Sequence, residues 1–156
     1  MPIPAYMQID GIPGSVIVEG REGSIEVLGF DHEVRMPTDK KDGSASGTRV
    51  HGEYKILKNF DKSTPELFKH LSNGTVVNNI QMNWYKIDTD GQEVVYFTHV
   101  LTKARIIRIH DWMPNVDDRA TERYKHMQEV SMQYEKIQWK FMEGNIEFSD
   151  SWIEGR

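Results

Sequence analysis

Apolar and polar residues alternate along most of this chain, which is the two-residue period of half-buried strands. Ala5 to Asp10 (AYMQID) is a short segment of this kind, closed by the turn-rich GIPGS that follows. Between Ser24 and Met36 the apolar positions run through Ile25 and Val27, then shift parity to Phe30, His32, Val34 and Met36. Gly29 stands at that change and predicts a bulge or bend. Pro37 to Thr48 (PTDKKDGSASGT) has almost nothing to bury, so it predicts a long loop of the functional or disordered kind.

Strand character resumes in RVHGEYKILKNF, and DKSTPELFKHLSNG then breaks the alternation as the one helical segment. Ser63 is placed to cap it, Glu66 to complete a capping box, Pro65 to occupy the first turn and Gly74 to stop it. Leu67, Phe68 and Leu71 supply one apolar face, and a helix this short needs that face packed on a sheet. Thr75 to Asp88 alternates again, with Ile80, Met82 and Trp84 opposite Gln81, Asn83 and Tyr85. The turn DTDGQ returns the chain into Glu93 to Leu101, predicting a hairpin. ARIIRIHDW continues as strand up to a second loop, MPNVDDRATER. From His126 to Phe141 one register (Val130, Met132, Tyr134) gives way to the opposite one (Ile137, Trp139, Phe141), predicting a bulge near Glu135 and Lys136. NIEFSD is a last short strand. The predicted fold is mainly β, an antiparallel sandwich or barrel with one short flanking α-helix, forming a single domain over residues 1–152. Ile153 to Arg156 (IEGR) matches a protease recognition sequence and is set aside as an addition.

Composition narrows the function classes. The chain has 156 residues, with 24 acidic against 19 basic side chains. It has no Lys/Arg run, so neither nucleic acid nor an anionic membrane is an expected partner. The absence of cysteine excludes disulfides, thiol catalysis and thiolate zinc sites. The N-terminal residues lack the basic and apolar segments of a signal peptide, and no run approaches the length of a membrane span, so any export is expected to proceed without a signal peptide.

GFDHEVRMPTD places His32 between two acids, but neighbours on a strand point to opposite faces, so Asp31, His32 and Glu33 cannot chelate as a triplet. His32, His51, His99 and His110 fall on four segments and are read as separate half-buried or surface histidines rather than as a metal centre. No nucleophile elbow, HExxH or phosphate-cradling glycine loop is present. Trp84, Tyr85, Trp112, Trp139 and Trp152 could form a sugar-stacking platform; core packing and interface anchoring are the plainer account. A ligand- or carbohydrate-binding monomeric sandwich and a metal hydrolase remain as alternatives. Polar strand faces (Asp31, Glu33 and Arg35; Gln81 and Asn83; Gln133 and Glu135) are equally suited to line water or to meet another copy of the chain.

The order of motifs resembles the Hcp family, the haemolysin-coregulated proteins of the bacterial type VI secretion system. The resemblance rests on the Met-Pro start, the early strand with Ile9 and Gly11, GFDHEVRMPTD, SGTRVHGEYKI, DKSTPELFKHLSNG and MNWYKI, and it spans Pro2 to about Trp152. Its most specific piece is the helix start: Asp61, Lys62, Ser63, Thr64, Pro65 and Leu67. The resemblance implies hexameric rings that stack into the inner tube, propelled by a contractile sheath. It implies a spike protein at the tip, small secreted effectors in the lumen, no cofactor and no intrinsic catalysis. It further implies cytoplasmic synthesis with export through the apparatus. On that basis Asp31 and Glu33 are expected to face the lumen. The loop carrying Pro37, Asp39, Lys40, Lys41, Asp42, Ser44 and Ser46 is expected to reach a neighbouring subunit or ring. Some family members carry a toxin domain after the core; this chain is expected to be a plain tube subunit.

Overall fold

The computed structural model describes residues 3–152; the IEGR tetrapeptide and the Met-Pro start lie outside the described residues. Eleven strands and one α-helix occur among them: β1 (Ala5–Ile9), β2 (Ile25–Val27), β3 (Gly29–Asp31), β4 (Val34–Arg35), β5 (Val50–His51), β6 (Tyr54–Asn59), α1 (Thr64–Asn73), β7 (Val76–Ile87), β8 (Glu93–Trp112), β9 (Met127–Gln133), β10 (Lys136–Phe141) and β11 (Ile146–Ser151). The strand pairings among the described residues are antiparallel, and hydrogen-bonded neighbours follow the order β2-β1-β7-β8-β9-β6-β3. The two ends of that order, β2 and β3, are consecutive in the chain and separated by Leu28 alone. The Leu28 amide donates to the Leu57 carbonyl at 2.7 Å, so the chain itself closes the sheet into a barrel. This is the bend expected at Gly29. A Cβ at that position would come within 3.1 Å of the Leu57 side chain, so glycine is what lets the two strands approach.

Alternation puts Met7, Ile25, Tyr54, Ile56, Ile80, Met82, Leu101, Val130, Met132 and Ile137 in the barrel interior. Beyond Gly29 the expected alternation fails: Val34 and Met36 are exposed, because β4 and β5 pair only with each other and project from the barrel. The segment predicted as a long loop is the tip of that hairpin. Thr38 bridges to Ala45, the Ser46 amide donates to the Pro37 carbonyl at 2.9 Å, and the Asp39 amide donates to the Ser44 carbonyl at 2.7 Å.

The register switch expected near Glu135 is a corner rather than a bulge. β9 and β10 run successively along the single long strand β8, and the chain turns at Tyr134–Glu135 opposite Lys103, whose φ of 52° is left-handed. After the corner, β10 and β11 leave the barrel as a two-stranded flap, and only one edge of β11 is paired.

The helix forms where predicted but is capped differently. The Ser63 side chain makes no capping hydrogen bond to the helix; its hydroxyl and amide both donate to Asp61 Oδ1. The capping box of Ser63 and Glu66 is therefore replaced by a turn around Asp61, in which the Asp61 amide donates to Thr64 Oγ1 at 3.1 Å and the Thr64 amide to the Asp61 carbonyl at 3.1 Å. Gly74 ends the helix with φ +62°, as expected. Of the predicted apolar face, Leu67 is buried and Leu71 packs on the core, whereas Phe68 is exposed. The stripe is narrower because the helix touches the barrel along one line.

Candidate functional site

Two polar networks and one apolar surface stand out against this frame. The first network fastens the helix start. β6 points Tyr54, Ile56 and Lys58 inward, and Lys58 is fully buried. Its ammonium pairs with Asp61 at 2.9 Å and donates to Gln128 Oε1 at 2.8 Å and the Asn59 carbonyl at 3.0 Å. Gln128 in turn donates to Asp111 at 3.1 Å. Burial lowers the Lys58 pKa from 10.5, while the contact with Asp61 acts in the opposite direction. Asp61, Ser63 and Thr64 of the predicted motif are thus brought together around one buried cation, and Leu67 anchors the helix. Lys62 and Pro65 are exposed, although the Lys62 amide donates to the Ser15 hydroxyl oxygen at 2.9 Å. Alternation could have revealed Lys58, since it occupies an inward position on its strand.

The second network holds the hairpin. Tyr134, at the corner between β9 and β10, lies between two histidines: its hydroxyl is 2.8 Å from His32 Nε2 and 2.6 Å from His51 Nδ1. His51 Nε2 is 2.8 Å from Asp150 on β11, and Arg49 donates to both oxygens of that carboxylate at 2.5 and 2.6 Å. Arg49 also donates to the Ser151 carbonyl at 3.0 Å. These donors, Arg49 foremost, lower the Asp150 pKa below the usual carboxylate range. Nearby, the Tyr54 hydroxyl is 2.7 Å from His99 Nδ1. Desolvation takes His99 down to about 4, and it lowers His32 as well, with a further push from His51. Three of the four histidines read as separate are thus gathered at one end of the barrel through tyrosine hydroxyls, while His110 stays exposed on β8. Arg49, Tyr134 and Asp150 were not legible as partners, because about a hundred residues separate Arg49 from Asp150 and nothing local marks them. Among the described residues, no group of three or more His, Asp or Glu side chains could hold a metal.

The apolar surface is the flap. Cross-strand rows continue the barrel interior outward: Trp84, Phe97, Phe141 and Ile146 form one row, and Met82, His99, Trp139 and Phe148 the next. The inner members of these rows are buried or half-buried, whereas at the outer ends Ile146 and Phe148 are 67% and 60% exposed. The aromatics do not gather into one sugar platform. Trp84 packs on Phe30 and His99, Tyr85 holds Arg21 over its ring, Trp112 meets Tyr124, and the Trp152 indole donates to the Tyr134 carbonyl.

Asp31 and Glu33 are both exposed and flank the half-buried His32 at the root of the hairpin. Asp31 opens onto a shallow cleft shared with Lys55, Trp112 and Glu129. At the hairpin tip Asp39, Lys40, Lys41, Asp42, Ser44 and Ser46 are exposed and Pro37 is half-buried. Asp39 accepts the Lys41 amide at 2.8 Å and Asp42 the Ser44 amide at 2.9 Å, so their carboxylates are engaged in shaping turns.

A closed antiparallel barrel that presents a projecting hairpin and an open-edged apolar flap defines a class first: a structural β-protein that works through its surfaces. The family described as "Type VI secretion system effector, Hcp" matches residues 6–141. The "Major exported protein" of Pseudomonas aeruginosa is 34% identical, over 97% of this chain and 96% of its own length. The solved structure of Hcp1 from E. coli EAEC 042 is 36% identical with a TM-score of 0.83, covering 97% of this chain and 99% of that one. Secreted protein Hcp3 of Pseudomonas aeruginosa is 30% identical with a TM-score of 0.76, covering 96% and 97%. The chain belongs to the Hcp family, and it is a tube subunit of type VI secretion. It is accordingly a secreted protein.

Proposed function

We propose that this chain closes into hexameric rings that stack as the inner tube of the secretion apparatus, moved outward by a contractile sheath behind a spike protein, with small effectors in the lumen. The chain makes this journey from the cytoplasm through the apparatus itself, and its role is mechanical rather than catalytic. The observation that carries the reading is the flap. An exposed apolar surface beside an unpaired strand edge is a liability in a monomer, and it is useful where another subunit covers it. Identical heterologous contacts close into a ring when their rotation permits, which turns one such surface into a complete assembly.

Within that assembly the exposed carboxylates Asp31 and Glu33 line the lumen, and the hairpin tip from Pro37 to Ser46 reaches the next subunit or ring. Native mass spectrometry of the full chain and of Phe148→Asp tests the central part. The full chain should give a discrete hexamer, and the variant a folded species of lower order. A hexamer unaffected by Phe148→Asp would remove the flap from the interface, and a monomeric full chain would remove the ring. Substituting Asp31 by lysine should impair effector retention while rings persist, and deleting residues 39–44 should shorten stacks without opening rings.

A further inference from the structure

We propose that His32, Tyr134 and His51 form an acid-sensitive latch that holds the projecting β4–β5 hairpin against the barrel and releases it in mildly acidic surroundings. The placement is the first reason. His32 lies just before β4 and His51 lies on β5, so the single Tyr134 hydroxyl grips both legs of the hairpin at its root. Tyr134 itself is fixed from behind, through the Trp152 indole that donates to its carbonyl at 2.5 Å. Among the described residues β4 and β5 pair only with each other.

The second reason is donor counting. With Asp150 ionised, His51 donates from Nε2 to the carboxylate, which leaves Nδ1 of the neutral ring as an acceptor. Tyr134 donates its one proton to that nitrogen, and its oxygen accepts from His32 Nε2. The chain then runs in one direction from His32 to Tyr134 to His51 to Asp150, with every group satisfied. One added proton on His51 is tolerable: Nδ1 becomes a donor, the Tyr134 hydroxyl reverses, and His32 changes tautomer to accept. A second proton is not tolerable. Both imidazolium rings would then aim N–H groups at one hydroxyl oxygen whose own proton has no acceptor, with two positive charges on the same small group.

The charged and titratable groups around the latch are Arg49 on the same leg, Asp31 and Glu33 before β4, Asp150 on β11, Tyr54 on β6 and His99 on β8. Arg49 already neutralises Asp150 through two hydrogen bonds, so that carboxylate has little charge to spare for a second imidazolium. Asp31 and Glu33 are exposed and screened by water. His99 lies behind Tyr54 and would add to the repulsion if it were charged. The Arg49–Asp150 pair stays ionised in mild acid, so the hairpin would remain tethered to β11 while its grip on the barrel corner opens.

Hydrogen exchange of the full chain, followed by mass spectrometry at pH 7.5 and pH 5.0 and corrected for the intrinsic pH dependence of exchange, tests this, with particle size monitored in parallel. Peptides covering residues 33–52 should lose about tenfold more protection in acid than peptides of β7, with no change in particle size. His32→Gln leaves only one titratable partner on Tyr134, and its hairpin should respond to acid much less. Equal loss in the hairpin and β7, hairpin loss only where particles shrink, or a full acid response in His32→Gln would each overturn the latch. Particle size, followed in parallel, distinguishes opening of the latch from exposure of the hairpin by a departing neighbour, so failure of the latch and failure of the ring are read separately.

Discussion

The two polar networks tie two different appendages to one barrel, and they do so with different chemistry. At the helix start a fully buried lysine is met by Asp61, Gln128 and a backbone carbonyl, and no member of the group ordinarily titrates near neutrality. At the hairpin root the bridging groups are histidines and a tyrosine hydroxyl, and the ion pair of Arg49 with Asp150 lies at the outer end. The helix is therefore held by a charge that costs heavily if its partner is lost. The hairpin is held by neutral hydrogen bonds whose direction depends on where the protons are. A tube subunit needs a barrel that does not deform.

Removing Asp61 should produce the largest effect. Asp61→Ala strands the Lys58 ammonium in the interior, and breaking a buried pair in this way costs about 3–5 kcal/mol. Urea unfolding should show a loss of unfolding free energy of that size, whereas Lys58→Met should be far milder because it removes the charge as well. If both variants lose the same stability, the contrast between the networks fails.

Acid comes next. His99 takes up its proton at about 4 in the fold, against 6.5 in the unfolded chain. Its depressed value means that, as pH falls below 6.5, the unfolded state binds the proton first, so stability is lost between pH 6.5 and 4 and levels off below. Between pH 7.5 and pH 5 this amounts to about 2 kcal/mol for a single site. His32, also lowered, adds in the same direction. Thermal unfolding across this range should slope accordingly, and His99→Phe should flatten the slope.

Smaller effects separate the two regions further. Tyr134→Phe removes two hydrogen bonds from the hairpin root and should cost about 1–2 kcal/mol overall, with the loss of amide protection concentrated in residues 33–52. A uniform loss across the barrel would make Tyr134 an ordinary core residue. Gly74→Ala places a Cβ on a left-handed residue and should cost about 1 kcal/mol in chemical unfolding without altering the pH slope.

Much of the fold could be read from the alternation. The parity changes at Gly29 and Glu135 marked the two places where the chain changes partner, because a bend must move side chains to the other face. The nature of those changes was not legible. One is where the barrel closes and the other is a corner, and both depend on which distant strand lies alongside. The helix stop at Gly74 was readable because left-handed backbone strongly favours glycine. The capping box was misread because Ser63 had a competing acceptor two residues earlier, Asp61, which Lys58 holds in place. At the candidate site, the exposed Asp31 and Glu33 followed from position alone. The His32–Tyr134–His51–Asp150 chain did not, since it joins four segments that meet only in the folded barrel. NIEFSD was readable as a strand, but nothing in it marks Ile146 and Phe148 as exposed, because that depends on the flap's departure from the barrel.

The central claim is that this barrel is one sixth of a ring. Negative-stain electron microscopy of the purified chain at neutral pH tests it most directly. The account predicts uniform annular particles with six-fold symmetry and an open centre; a field of compact single barrels without a central opening would contradict it.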